Sequence, residues 1–128
     1  MAGIVLDSSV VIALLTPFDK HHTAARKAVT EIEERLVIST ITLTEVLVRP
    51  AKISLKACNE MAEEIRKHFG EPIALSSEIA IIAAAIRAST RLATPDAIIS
   101  ATANTIKATL WTCDAALAKA HKGARLIA

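Results

Sequence analysis

The 128 residues, 52% of them hydrophobic, can bury a sizeable core, which excludes an intrinsically disordered chain. No apolar run reaches the roughly 18 residues of a membrane span, and the two cysteines, Cys58 and Cys113, lack metal-ligand spacing, which argues against a zinc cluster or a disulfide framework. The net charge of +2 says little about partners, while 2% aromatic content with no Tyr excludes a base-stacking platform for single strands.

The chain opens on Gly3-Ile4-Val5-Leu6-Asp7-Ser8-Ser9. This predicts a short strand, an acidic turn and then a buried helix through Val10-Val11-Ile12-Ala13-Leu14-Leu15. Met1-Ala2-Gly3 carries no basic leader, so the expectation is a cytoplasmic protein without a signal peptide. Thr16-Pro17-Phe18-Asp19 reads as a loop. Asp19 is placed to cap a helix to about Arg35, with Ala24, Ala25, Ala28, Val29 and Ile32 on one face. His21 and His22 are adjacent and do not share a helix face, so they read as solvated surface.

Leu36-Val37-Ile38-Ser39 predicts a second strand. The following Thr40 to Val48 is ambiguous. Its β-branched content favours a strand, whereas Leu43, Val46 and Leu47 fit one helical face. Either way Glu45 is an acid within an apolar segment, which costs free energy unless it is paired or metal-bound. Pro50 is expected to end the element. Ser54 can cap a helix to about Phe69, stopped by Gly70. Pro72-Ile73-Ala74-Leu75 predicts a third strand. Ser76 or Ser77 caps a helix to about Thr90 that is apolar on nearly every side, hence buried in the core or in an interface. Thr94 suits an N-cap, with Pro95 at the first helical position. Asp96, Ser100 and Asn104 then form a polar stripe on an apolar helix. Thr109 to Thr112 is a fourth strand, and Cys113-Asp114, a short helix to about His121 and a last strand, Ala124 to Ile127, complete the pattern. Strands alternating with helices predict an α/β domain with a short, mainly parallel central sheet over residues 1–128.

Asp7 and Asp114 directly follow apolar strands, and in a parallel sheet those positions share one edge, where such sheets place ligands. Each acid has a plain alternative. Asp7 and Asp114 suit N-caps, and Asp96 suits the first turn of a helix, where its charge complements the dipole. Several carboxylates brought together repel, and a divalent ion relieves that repulsion. Oxygen donors without a Cys cluster point to Mg²⁺, or Mn²⁺ in its place. With these four acids set aside as a neutralised site, nine remain against 15 bases, a balance of +6 that suits a polyanion.

The residues resemble the PIN-domain ribonucleases, near the VapC toxins of bacterial and archaeal toxin–antitoxin pairs. The resemblance rests on Val5-Leu6-Asp7-Ser8-Ser9, on Ser39 to Val46 with Glu45, on Thr94-Pro95-Asp96 to Ala103, and on Leu110-Trp111-Thr112-Cys113-Asp114. It spans nearly the whole chain. It implies a PIN-like three-layer α/β/α fold, a helix around Glu45, and Asp7, Glu45, Asp96 and Asp114 as catalytic, metal-binding acids. Ser8 and Thr112 would support them. Cys113 stands where many relatives have Asn, and Leu117 stands where others have an acid. The implied activity is Mg²⁺-dependent endoribonuclease cleavage, leaving a 5′-phosphate and a 3′-hydroxyl. The implied partners are an RNA substrate, a cognate antitoxin and a second copy in a homodimer, with no membrane. Arg87, the only charge late in a long apolar helix, and Arg49 are candidates for substrate phosphate. A PIN domain of RNA maturation, a non-catalytic PIN-like module and a phospho-accepting signalling domain are the alternatives. The last wants paired acids after the first strand, where this chain has Ser8-Ser9.

Overall fold

Successive side chains of the strands enter different core clusters, and that alternation builds the layers. The computed structural model describes residues 3–128; Met1 and Ala2, where the missing basic leader was read, lie outside the described residues. Strands β1 (Ile4–Leu6), β2 (Leu36–Val37), β3 (Thr109–Thr112) and β4 (Arg125–Leu126) form one sheet in the order β2-β1-β3-β4. Every pairing is parallel, with Ile4 opposite Leu36 and Thr109, and Trp111 opposite Arg125. Ile4, Leu6, Trp111 and Ile127 enter one core cluster, while Val5, Val37 and Leu110 enter another. Successive side chains therefore point to opposite faces, and both faces are covered, as a parallel sheet requires.

Helices α1 (Ser8–Leu15), α2 (His22–Thr30), α3 (Thr40–Ile53) and α4 (Leu55–Phe69) contribute Val10, Ala25, Val46 and Ile65 to the first cluster. Across the sheet lie α6 (Thr94–Ile106) and α7 (Ala115–Ala120), which contribute Ile99 and Leu117 to the second. Helix α5 (Ser77–Ser89) packs outside α6 through Ile79 and Ala83. The fold is the expected PIN-like α/β/α arrangement. Each large apolar side chain it buries contributes roughly 1.5–3 kcal/mol. No helix of the described residues is long and apolar enough to cross a membrane. At Gly3 a Cβ would sit 2.8 Å from the carbonyl oxygen of Arg35, which accepts from Ile4 N, so only glycine lets the chain enter β1 this closely.

Several elements differ from the sequence expectation. The third strand is reduced to a parallel bridge between Ser39 and Ile73, so the described sheet has four strands. Helix α2 ends at Thr30, not near Arg35. Asp19 does not cap it; its carboxylate accepts from His21 N at 2.8 Å and tightens the turn before the helix. His22 is half-buried and bonds to the Ala13 carbonyl at 2.7 Å. The Thr40–Val48 segment is helical. Its cap is Ser39, whose hydroxyl accepts from Ile41 N, and the helix runs through Pro50 to Ile53. Helix α5 is not enclosed by this chain, since Ile81 is 72% exposed. Helix α6 is capped at Ala93, which has no side-chain acceptor, so Thr94 is its first residue and not its cap, and the Thr94 hydroxyl accepts from Arg87 instead.

Candidate acidic site

β1 and β3 are neighbours in the same direction, so Asp7 and Asp114 emerge at one sheet edge. Asp7 is 4% exposed, and its carboxylate accepts three hydrogen bonds. Its Oδ1 accepts from Val10 N at 3.1 Å, capping α1, and from Ser9 Oγ at 2.5 Å. Its Oδ2 accepts from Thr112 Oγ1 at 2.5 Å, and its backbone N–H donates to the Trp111 carbonyl at 3.1 Å. The two hydroxyls also tie this acid to the neighbouring strand end: Thr112 Oγ1 accepts from Asp114 N, and Ser9 Oγ accepts from Cys113 N, both at 2.9 Å. Burial pushes the Asp7 carboxyl above its ordinary range, and the bonds from Ser9, Thr112, Val10 and the backbone of Ser9 pull it back.

Asp114 is exposed and caps α7 by accepting from Ala116 N at 2.9 Å. Capping is therefore part of what both acids do. Glu45 is exposed on α3 and accepts from the Ser8 hydroxyl. It bears no burial cost: Val46 turns into the core while Glu45 turns outward, because neighbours on a helix face different ways. Asp96, in the first turn of α6, is half-buried and accepts no hydrogen bond among the described residues. Its carboxyl is pushed up to about 6, by burial first and then by the charges of Asp114, Asp7 and Glu45. The four acids thus lie within reach of one another's fields. No group of three or more His, Cys, Asp or Glu side chains among the described residues is placed to hold a metal ion. The carboxylates share a field without forming a closed shell.

Burial also raises the Cys113 thiol, against its bond with Ser9 and with the charges of Asp7 and Asp19 behind it. Cys113 and Cys58 are both free, partly buried thiols. The two candidate arginines separate. Arg49 is exposed and lines, with Ile12, Phe18 and Glu45, a largely apolar groove of about 410 Å³. Arg87 donates from Nε to the Leu92 carbonyl at 3.1 Å and from Nη1 to Thr94 Oγ1 at 2.9 Å. Ser9 is the site residue that sequence reasoning missed. The signal was the second hydroxyl after Asp7, two residues beyond a capping acid and so within reach of it.

The family model described as the PIN domain matches residues 4–123. No curated protein matches the sequence. Among solved structures, a chain of a toxin–antitoxin complex from Klebsiella pneumoniae is 27% identical, with 88% of this chain and 87% of that one covered and a TM-score of 0.69. FitAcB from Neisseria gonorrhoeae is 24% identical over 96% of each chain, with a TM-score of 0.76. VapC20 from Mycobacterium tuberculosis, a sarcin–ricin loop cleaving toxin, is 17% identical over 92% of this chain and 95% of that one, also at 0.76.

Proposed function

This chain belongs to the PIN domain family, and from that premise we propose that it is a Mg²⁺-dependent endoribonuclease, the toxin of a toxin–antitoxin pair, with residues 1–128 as one PIN-like unit. The observation that carries the reading is the convergence on Asp96 of Asp7 and Asp114, at the ends of neighbouring parallel strands, and of Glu45 on α3; burial first, and then their charges, raise its carboxyl. Such a cluster is unfavourable unless a cation fills it. The likeness to a toxin–antitoxin complex at 27% identity supports the toxin role.

The donors fit a hard divalent ion. They are carboxylate oxygens, and Mg²⁺ commonly takes only one or two of them, completing its shell with waters and substrate phosphate. That arrangement does not require three acids to close on the ion. Asp7 and Asp96 would hold it, with Asp114 and Glu45 beside them; Mn²⁺ suits the same donors. When bound, the ion supplies Lewis-acid stabilisation of the phosphate and lowers the pKa of a water. The chain's own part is orientation. Ser9, Thr112 and the Val10 amide fix both oxygens of Asp7, and Ser8 fixes Glu45. Asp96, engaged by no donor among the described residues, offers both oxygens. Water, assisted by a carboxylate, attacks the phosphate in line, leaving a 5′-phosphate and a 3′-hydroxyl. Arg49, on the rim beside Glu45, is placed to meet a flanking phosphate.

The groove beside Glu45 exposes Phe18 at 85% and Val48 at 47%, an apolar surface suited to an antitoxin segment that covers the site. The exposed face of α5 suits a homodimer. The nuclease reading is tested by incubating RNA with purified protein and Mg²⁺, with and without chelator. Cleavage that stops with chelator and returns with added Mg²⁺ supports it; cleavage indifferent to chelator overturns the metal mechanism.

A further inference from the structure

We infer that Arg87 is a positioning residue that sets the place of Asp96, and not a contact for substrate phosphate; its kinetic consequences rest on the nuclease reading above. Asp96 differs from the other three acids in having nothing to orient it. Asp7, Glu45 and Asp114 each accept hydrogen bonds from neighbours, whereas Asp96 accepts none among the described residues. Its position therefore depends on where α6 begins. That helix start lacks a side-chain cap. What holds it is the approach from α5. Arg87 spans the connection, with one donor on the Leu92 carbonyl and another on the Thr94 hydroxyl, two residues before Asp96. Thr90 completes the turn, donating to the Ile86 carbonyl at 2.8 Å and accepting from Leu92 N at 3.2 Å. Leu92 is buried beneath.

The planar guanidinium suits this task because Nε and Nη1 are rigidly related, so two acceptors are fixed relative to each other. A lysine ammonium keeps the charge but not that geometry. Two of the five N–H donors of Arg87 are committed in this way, and the split between kcat and KM separates bracing from a phosphate contact through the remaining three. Because Arg87 is exposed, water can replace it on both acceptors. The fold then survives its loss while the start of α6 loses its brace.

The test compares wild type with Arg87→Ala, Arg87→Lys and Thr94→Val. In RNA cleavage at saturating Mg²⁺, kcat is expected to fall roughly tenfold in both Arg87 variants, as for a catalytic group displaced by a fraction of an ångström. KM for RNA stays within about twofold, and Thr94→Val shifts in the same direction. In parallel, amide exchange by NMR is expected to quicken at Leu92 and Ala97 while Val5 and Leu110 are unchanged; the Ala97 N–H makes the first ladder bond of α6, to Ala93. A KM increase with kcat intact would mean a phosphate contact and overturn the inference. Lost kcat with unchanged exchange at Ala97 would overturn it too. If wild type cleaves no RNA, the nuclease reading fails on its own, and the exchange comparison still decides the positioning role. If Arg87→Ala does not fold, Arg87→Lys and Thr94→Val decide it.

Discussion

Thr112 and Asp7, 105 residues apart in sequence, share a hydrogen bond of 2.5 Å that joins the ends of two neighbouring strands. The same hydroxyl accepts from Asp114 N, so one side chain orients an acid on β1 and the backbone of an acid after β3. Removing it leaves a buried carboxylate short of a donor. Thr112→Val should cost about 1–3 kcal/mol of stability by thermal or denaturant unfolding. It should lower cleavage as well, and Thr112→Ser should recover most of both.

Ionised Asp96, whose pKa is raised by burial first and by its acidic neighbours second, should destabilise the metal-free protein near neutral pH. The Asp96 carboxyl titrates at about 6 in the folded chain against 3.8 ordinarily. Between those values the folded state holds a proton that the unfolded state has released. Stability from this group is therefore full below about pH 4 and is lost as pH rises through about 6. Asp96→Asn should raise the stability of metal-free protein at pH 7 by roughly 1–2 kcal/mol, allowing for solvent screening, while abolishing cleavage. Thermal melts at pH 5 and pH 7 check the sign. Added Mg²⁺ should stabilise wild type at pH 7 and shrink the variant's advantage.

Ser100 and His121 form a pair of opposite sense. His121 is buried, its Nδ1 lies 2.6 Å from Ser100 Oγ, and burial lowers its pKa below 6.5. A histidine held neutral contributes stability above its unfolded pKa and loses it as pH falls through the folded value. Ser100→Ala should cost about 1–2 kcal/mol in unfolding experiments. The rate of RNA cleavage by the folded fraction should stay unchanged.

The uncovered face of α5 makes a solution prediction. With Ile81 72% exposed, Ile81→Asp should shift sedimentation from dimer to monomer while changing the unfolding free energy of the monomer by no more than about 0.5 kcal/mol. A wild-type monomer at all concentrations would contradict the dimer.

Much of this was legible from residues alone. Asp7 and Asp114 could be placed because apolar strands lead directly into them, and parallel pairing puts both on one edge. Glu45 could not be oriented locally: Thr40, Ile41, Thr42 and Thr44 favour a strand as much as Leu43, Val46 and Leu47 favour a helix. The resemblance implied helix, and tertiary packing of Val46 with the Ser39 cap makes it so. The resemblance implies a supporting role for Ser8 alone, yet helix phase sends Ser8 to Glu45 and Ser9 to Asp7. Pro72 to Leu75 has strand chemistry, but only Ile73 finds a partner. Arg87 reads as a candidate for substrate phosphate because its two acceptors, a backbone carbonyl and a threonine hydroxyl, carry no charge signature in sequence.

Whether four acids from separate elements act as one metal-dependent site that cuts RNA is decided by mapping the ends of RNA fragments made by wild type and Asp7→Asn, each with Mg²⁺. Wild type should leave 5′-phosphate and 3′-hydroxyl ends, and the variant, still folded, should give background cleavage. Equal cleavage by folded Asp7→Asn, or 2′,3′-cyclic phosphate ends from wild type, would contradict such a site.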